Sequence, residues 1–249
     1  MVIRKKRMGF TVVDIFFDDR YLSEINPKKY GRVTALSYSK FNLPNHRCRE
    51  KDTALIPLLP SEDEIFGRFN KTTRNEISRT QREEEYSVKV GEEVFNDAYN
   101  LYKEFEYGRK SVPFSKEYVS KMKPLVVYDS NEPIAGLFLI EAEPYMRIFA
   151  IFSKRLSVSI EKRKRVSFAS RRSIWEACQL GKSGGFESLD LSSVNRERPE
   201  TRSIADFKMS FGGEICKEYT YTYRSPLFRA FEYIAKVRVW FLAKLHSLV

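Results

Sequence analysis

One lysine, Lys208, has the setting in this sequence that is best suited to polar catalysis. It stands between Phe207 and Phe211 at the end of a predicted short helix. Partial burial there would hold its ammonium group as a fixed donor to a developing oxyanion or to a phosphate, a role worth about 3 kcal/mol in a site that excludes water. The alternative is an ordinary solvated lysine.

A carboxylate, Asp190, ends the predicted strand in FESLDLSS (186–193). At that place it could position or deprotonate an attacking amine. The alternative is that this carboxylate caps a helix or pairs with Arg171 as part of the fold. The sequence therefore offers Lys208 and Asp190 as candidate catalytic residues.

Two groups of cations could bind the phosphates of a substrate. Arg74 and Arg79 share one predicted helix, and the planar guanidinium group matches a phosphate in shape, although a solvated helix face balanced by glutamates is the alternative. The second group is a basic stretch, predicted as a loop directly before a helix from about Ser167, and a merely flexible, soluble loop is its alternative. The predicted phosphate-binding residues are Arg74, Arg79, Lys162, Arg163, Lys164, Arg165 and Arg171.

The composition counts against several other kinds of chemistry. The 249 residues include two histidines and three widely spaced cysteines without a CxxC pair, so we expect neither histidine catalysis nor a metal site. The sequence also lacks the GxxxxGK[ST], GxGxxG, GxSxG and HExxH patterns, which weakens kinase, dinucleotide-binding, serine-hydrolase and metalloprotease interpretations.

The net charge of +11 suggests an anionic partner, such as nucleic acid, a phosphorylated substrate or a membrane surface. Residues 1–9 carry +4 and residues 154–172 carry +7, so the rest of the chain sums to zero. A general DNA-binding domain more often spreads its basic residues along a whole face. The charge therefore indicates a local site around residues 162–165.

The elements that must position these residues follow a mixed order. Strands are predicted at 10–17, 33–38 and 53–59, and a helix from the N-cap Ser61 to about residue 85. A strand at 85–90, a helix at 94–107 and three strands at 124–129, from 134 and at 145–153 come next, the last three as an antiparallel meander. A helix at 167–182, a strand at 186–193, a short helix from Pro199 and strands within 214–224 complete the order. This pattern predicts an α/β (α+β) domain.

Three segments together resemble the FemAB-like branch of the GNAT acyltransferase superfamily. They are TALIPLLPSEDEIFGRFNKTTRNEISRT (53–80), the helix SFASRRSIWEACQLGKSGG with the strand FESLDLSS (167–193), and ADFKMSFGG (205–213). The most specific match is the FKxxFGG element, Phe207–Gly213. Two features depart from the pattern: no glycine lies between Leu137 and Leu180, where acyl-CoA-dependent members have their pyrophosphate loop, and Ser192-Ser193 replaces the usual Gly-Gly after the strand.

The resemblance implies a single GNAT-like domain with a central mixed, mostly antiparallel, splayed sheet flanked by helices. It implies an N-acyltransferase that moves an acyl or aminoacyl group to an amine of a cell-envelope or polysaccharide precursor. The acyl donor would be a co-substrate, aminoacyl-tRNA or acyl-CoA, with no bound cofactor, and Lys208 would stabilise the reacting carbonyl. The alternatives are an acetyl-CoA-dependent sugar-amine N-acetyltransferase and a non-catalytic basic module that binds RNA or anionic lipid.

The predicted organisation is N-terminal strands and a loop (1–52), the acyltransferase core (53–225) and a C-terminal amphipathic helix (226–249). That helix either packs on the domain or lies on a membrane as a basic amphipathic helix. No stretch reaches 18 uncharged apolar residues and no signal-peptide pattern is present, so a cytoplasmic protein is expected, with peripheral contact to the inner membrane face through 226–249 as an option.

Overall fold

A computed structural model describes residues 1–235 of the chain. The strands are β1 (Val2–Arg7), β2 (Phe10–Phe16), β3 (Arg32–Ser37), β4 (Arg47–Pro57), β5 (Tyr86–Val90), β6 (Lys123–Asp129), β7 (Glu132–Ala142), β8 (Tyr145–Ser153), β9 (Ser188–Ser193) and β10 (Glu214–Arg224). The helices are α1 (Asp19–Glu24), α2 (Glu62–Gly67), α3 (Lys71–Arg82), α4 (Phe95–Gly108), α5 (Lys116–Val119), α6 (Ile160–Ser183) and α7 (Pro199–Met209), and residues 226–235 are also helical.

The chain divides into two compact units. The terminal unit combines Met1–Glu50 with the segment that begins at Glu218, and the central unit is Lys51–Lys217. In the terminal unit the strand order is β1-β2-β3-β10, with β2 and β3 parallel and the other pairs antiparallel. Each unit is thus organised on its own sheet segment.

The central unit is built on strands in the order β4-β9-β8-β7-β6-β5. All neighbouring pairs are antiparallel except β8 and β9, which run parallel. The antiparallel meander of β6, β7 and β8 is therefore confirmed, and so is the predicted fold class of a mixed, mostly antiparallel sheet with helices against it.

Beyond a short ladder, β8 and β9 do not stay paired. They pair at three positions only, Tyr145 with Ser188, Met146 with Leu189 and Arg147 with Asp190. β8 then continues to Ser153 and β9 to Ser193. Two parallel strands that part in this way leave a gap in the sheet, and side chains from both strands face that gap.

Helices cover both faces of the central sheet. Leu137 and Leu139 of β7 belong to the core that also contains Ile174 of α6, whereas Phe138 packs edge-on against Tyr102 of α4 at 5.5 Å between ring centroids. Because successive side chains of a strand point to opposite faces, a strand buried on both sides is apolar throughout. This explains the continuous buried run at 134–140.

The predicted helix from Ser61 to about residue 85 is two helices, and the second ends at Arg82. Ser61 does cap the first, α2, with a full capping box to Glu64. The chain then turns after Gly67, and the Asn70 side chain accepts a hydrogen bond from the Thr73 N–H at 2.7 Å to start α3. Periodicity alone did not reveal this break, because the buried apolar residues of the two helices, such as Ile65 and Ile77, also fit one face of a single continuous helix.

The structure corrects the prediction of a basic loop at 162–165, because this segment is helical. Helix α6 begins at Ile160, not near Ser167, so Lys162, Arg163, Lys164 and Arg165 are all helical. Lysine and arginine are good helix formers, and a run of them does not by itself end a helix. The N-terminal basic segment also has regular structure: it forms the strand β1, in which Lys5 pairs with Asp14 of β2 at 3.1 Å.

At the C-terminal end, residues 226–235 form a helix as predicted. The remainder of the predicted helix, with its apolar Phe241, Leu245 and Leu248, lies outside the described residues. Within residues 1–235, no helix combines the length and the apolar character that a membrane span requires.

Candidate active site

A cleft of about 880 Å³ opens in the central unit where β8 and β9 part. β8 supplies Ile148–Ile151 and β9 supplies Leu191 and Ser192 to its wall. Helices α4, α6 and α7 close the remaining sides, and α7 contributes Lys208. The lining mixes aromatic and aliphatic side chains with six serines and several charged groups, which is the character of a small-molecule site.

The FKxxFGG element fixes the end of α7 against the start of α3. Gly212 has φ 66°, and a Cβ there would stand 2.4 Å from the carbonyl oxygen of Arg68, so only glycine fits. Ser210 accepts a hydrogen bond from the Asn70 N–H at 2.9 Å through its carbonyl oxygen. Phe211 is fully buried against Phe69. These contacts hold the last turn of α7, and Lys208 with it, in one orientation.

Lys208 reaches the cleft from a mostly buried position. The residue is 8% exposed, and its Nζ donates a hydrogen bond to the carbonyl oxygen of Ser193 at 2.9 Å. Phe207 stacks edge-on with Phe211 at 5.4 Å beside it. The ammonium group is therefore a positioned cation at the tip of β9, not a freely solvated one.

Asp190 lies beneath the cleft, outside its lining. Its carboxylate is 0% exposed and forms an ion pair with Arg147. It also accepts hydrogen bonds from the Thr53 hydroxyl and, at 2.6 Å, from the Ser192 N–H. The arginine that Asp190 pairs with is thus Arg147 on β8, not Arg171, and these contacts describe a structural partner.

Ser192 has a strained backbone conformation near the end of β9. Its φ of 65° lies in the left-handed region, where an L-residue other than glycine costs about 1–2 kcal/mol. The Asp190 carboxylate holds its N–H, and Arg147 Nη2 donates to its Oγ at 3.0 Å. The buried ion pair therefore maintains, in a serine, a backbone conformation that a glycine would adopt freely.

Arg171 is the predicted phosphate-binding residue that the structure brings to the cleft. Its guanidinium lies 5.3 Å from the centre of the Phe207 ring, and its Nη1 is 3.0 Å from Glu76 and 2.8 Å from the Ser167 hydroxyl. Its Nε is buried without a hydrogen-bond partner within residues 1–235. Buried donors without a partner are uncommon in folded proteins.

The other predicted phosphate-binding residues lie away from the cleft lining. Arg74 donates to the carbonyl oxygens of Gly67, at 3.0 Å, and Phe69, so it caps the end of α2. Arg79 pairs with Glu83 at 2.5 Å on the same helix. These contacts match the alternative of a balanced helix face.

The basic start of α6 is also partly neutralised. Arg165 makes two hydrogen bonds to Asp129, at 2.6 and 2.7 Å, and lies 4.7 Å from the centre of the Tyr86 ring. Lys164 lies against the Phe168 ring, and Lys162 and Arg163 are exposed. None of the four is among the residues that line the cleft.

The cleft contains charged residues that the sequence did not single out. Arg109 and Arg155 add two cations, and Glu106 and Asp206 add two carboxylates. Glu106 lies 3.7 Å from Arg109 one helical turn away, and Asp206 lies 3.4 Å from Arg196. Of these four residues, only Asp206 could have been noticed in the sequence, because it directly precedes the FKxxFGG element. The others reach the cleft through contacts between distant segments.

Burial shifts the pKa of two further groups in this unit. It raises the pKa of Tyr102, whose hydroxyl accepts a hydrogen bond from the Phe114 N–H at 3.2 Å on the cleft wall. It also raises the pKa of the Cys178 thiol in the core. Within residues 1–235, no cluster of three or more His, Cys, Asp or Glu side chains could hold a metal ion.

Solved structures share this architecture at low sequence identity. The FemX crystal structure superposes with a TM-score of 0.62 at 10% identity, covering 93% of this chain and 86% of its own. The C-terminal domain of a protein named as a lysylphosphatidylglycerol synthetase from Agrobacterium fabrum gives 0.58 at 14% identity, with 95% and 84% covered. The lysylphosphatidylglycerol synthetase L-PGS from Bacillus licheniformis gives 0.53 at 16%, with 90% and 81% covered.

No family model matches the chain, and no curated protein matches its sequence. The structural likeness nevertheless extends over nine-tenths of the chain in all three cases. The predicted fold is thereby confirmed: the chain shares its fold with FemX and with the two lysylphosphatidylglycerol synthetase structures.

Proposed function

We propose that the protein transfers an acyl or aminoacyl group from a phosphate-bearing donor to an amine of a cell-envelope or polysaccharide precursor. One observation carries this proposal: the Lys208 ammonium group is held at the tip of β9, on the wall of a cleft that opens between two parted parallel strands. The shared fold supports it, because the three similar structures include two lysylphosphatidylglycerol synthetases, which are named for joining a lysyl group to a phospholipid.

The reaction needs little covalent help from the protein. The acceptor amine attacks the carbonyl carbon of the donor ester, a C–N bond forms, and the C–O bond to the leaving group breaks as the tetrahedral intermediate collapses. The amine loses a proton, and the leaving oxygen gains one. A fixed ammonium group stabilises the oxyanion of that intermediate, since it is oriented before charge develops. Holding the two reactants together in the cleft supplies the rest.

The charge of the cleft favours a donor with phosphates. Its lining carries four cations against two carboxylates. Arg171 is one of these cations, and its guanidinium group could pair with a phosphate. The glycine-free segment between β8 and α6 brings few backbone N–H groups to a pyrophosphate, which favours aminoacyl-tRNA over acyl-CoA. The donor is a co-substrate in this scheme, and no bound cofactor takes part.

A two-donor assay tests the proposal. The full chain is incubated with a pool of tRNA charged with labelled amino acids, and in parallel with labelled acetyl-CoA, in the presence of nucleotide-sugar and lipid extracts. We expect label to move from charged tRNA to the extract, with Lys208→Ala abolishing transfer and Lys71→Ala, at an exposed lysine of α3, preserving it. Transfer from acetyl-CoA alone would overturn the donor assignment. If neither the wild-type protein nor Lys208→Ala transfers label from either donor, the proposed enzymatic function is overturned.

A further inference from the structure

The terminal unit holds most of the net charge of this protein. Residues 1–50 and 218–249 contain 16 lysines and arginines against seven aspartates and glutamates, a net charge of +9, which leaves +2 for residues 51–217. The cleft therefore lies in a nearly neutral unit. The unit that carries the charge needs a separate explanation, independent of the acyl transfer.

A second pocket, of about 460 Å³, lies within the terminal unit. Its lining is Arg47 of β4, Thr222 and Arg224 of β10, and Arg229, Glu232 and Tyr233 of the helix at 226–235. The single carboxylate, Glu232, pairs with Arg224 at 3.3 Å and with Arg7 at 3.7 Å. Within residues 1–235, neither Arg47 nor Arg229 has an ion-pair partner. This pocket, here called the arginine pocket, is thus lined by three arginines and one glutamate, which leaves an excess of positive charge.

Several arginines that line one pocket are suited to binding phosphate. The planar guanidinium forms paired hydrogen bonds with two phosphate oxygens, and three of them around a concave surface can bind a phosphate ester from several sides. The Thr222 hydroxyl adds a neutral donor on the same wall. The ligand chemistry of the arginine pocket is therefore an anionic phosphate group.

The helix beside the arginine pocket exposes apolar side chains in place of polar ones. Leu227, Tyr233 and Ile234 are 60%, 71% and 61% exposed. Only Phe228 is buried, packing edge-on against Phe10 at 5.4 Å. At 100° per residue, Pro226, Leu227, Ala230, Tyr233 and Ile234 fall on the outward side of this helix, and Arg229 borders them. A solvated helix would carry polar residues there.

Apolar side chains that face outward beside a cluster of arginines fit the surface of an anionic bilayer. The apolar face can enter the boundary between headgroups and acyl chains while the arginines bind lipid phosphates at headgroup depth. Nucleic acid would use the arginines but would leave Leu227 and Ile234 in water. We infer that the terminal unit docks on anionic membrane lipids, with the arginine pocket as the headgroup site and the helix at 226–235 as the apolar anchor.

Vesicle sedimentation with the full chain tests this surface. Vesicles of phosphatidylcholine alone are compared with vesicles containing 30% phosphatidylglycerol, at about 0.1 M and 0.5 M salt. We expect binding to the anionic vesicles only, weakened at high salt because the phosphate contacts are screened. Arg47→Gln and Arg229→Gln should each reduce binding about fivefold, and Leu227→Glu with Ile234→Glu should abolish it.

Matched exposed positions outside the surface serve as controls. Arg20→Gln and Leu59→Glu remove the same side-chain types from α1 and from the segment before α2, and both should bind vesicles as the wild type does. Equal losses for test and control variants, or no preference for anionic vesicles, would overturn the inference. So would binding of tRNA that depends on Arg47 and Arg229 without any vesicle binding. Lys208→Ala should bind vesicles normally, which separates this result from the proposed transferase.

Discussion

Lys208 and Ser193 join α7 to the tip of β9: the lysine Nζ donates to the serine carbonyl oxygen at 2.9 Å. One residue earlier, Ser192 has left-handed backbone geometry that a buried ion pair holds in place. The cation and the strained strand end are therefore one structural unit. A catalytic role for Lys208 requires both, since the ammonium group is oriented through that carbonyl.

Replacing Lys208 by the uncharged, similarly long methionine should lower kcat about 10²–10³-fold, because the oxyanion loses its positioned donor. KM for the donor should change much less. The measurement is steady-state transfer alongside urea unfolding of each variant. Lys71→Met, at an exposed position of α3, should leave both unchanged.

A variant Lys208→Met that unfolds at lower urea concentration yet turns over at the wild-type rate would assign Lys208 to the fold alone. Lys208→Arg adds a second test, because it keeps the charge but alters the geometry of the donor. Partial recovery of kcat by the arginine would support electrostatic stabilisation.

Lys208 could be predicted from the sequence because the residues that orient it are its near neighbours in the chain. Lys208 is local to its motif: Phe207, Phe211 and the glycine pair that orient it lie within five residues. Arg147 could not be predicted in the same way, because it joins the site only through the pairing of β8 with β9, some forty residues apart. Arg74 and Arg79 were placed on the correct helix, but a sequence does not show which face of a helix meets a cleft.

Glycine and alanine substitutions should rank in opposite order of stability at the adjacent residues Ser192 and Ser193. Ser192→Gly relieves the left-handed strain and loses the hydrogen bond from Arg147, whereas Ser192→Ala loses the bond and keeps the strain. The glycine variant should therefore be more stable than the alanine variant by about 1 kcal/mol. At Ser193, which is extended in β9, alanine should be the more stable by about 0.5–1 kcal/mol.

Urea unfolding of the four variants measures these differences directly. If alanine and glycine rank in the same order at both positions, Ser192 does not hold a strained conformation in solution.

The two predicted roles of Asp190 are separable by stability. Asp190→Asn removes the negative charge from the buried ion pair with Arg147, which should cost about 3–5 kcal/mol of unfolding free energy. The exposed pair Arg20–Glu24 is the comparison, and Glu24→Gln should cost less than about 1 kcal/mol. An Asp190→Asn protein that is as stable as the wild type but inactive would make Asp190 a general base after all.

The fold was more predictable than its boundaries. Strand β8 and the meander around it follow from three apolar runs and from Pro133 and Pro144 between them, which are local signals. The predicted start of helix α6 lies seven residues after the observed start, because four consecutive cations resemble a loop in sequence. The contacts that fix Arg165 in the helix come from Asp129 on β6. Such contacts arise between segments and leave no local pattern.

Arg171 and Arg74 should respond differently to the same substitution. Arg171→Gln removes a cation from the cleft wall and should weaken binding of the phosphate-bearing donor about tenfold, within the range of a hydrogen bond to a charged group. Arg74→Gln removes two bonds to carbonyl oxygens at the end of α2, so it should lower the unfolding free energy by about 1–3 kcal/mol without changing donor affinity. Equilibrium binding of charged tRNA and urea unfolding of both proteins test this. The reverse pattern would move the phosphate site from the cleft to α3.

The three cysteines should react in an order set by burial. Only a thiolate attacks a disulfide reagent, and burial raises the pKa of Cys178 far above neutral pH while the core around it excludes the reagent. Cys48 is exposed and Cys216 intermediate. A thiol-reactive chromogenic disulfide at pH 8 should therefore modify Cys48 first and Cys216 more slowly, with Cys178 reacting only in denaturant. Cys48→Ser should remove the fast phase alone, and Cys178→Ser should leave the native-state kinetics unchanged. Rapid modification of Cys178 in the native protein would mean that α6 opens away from the sheet, which would also release Arg171 from the cleft.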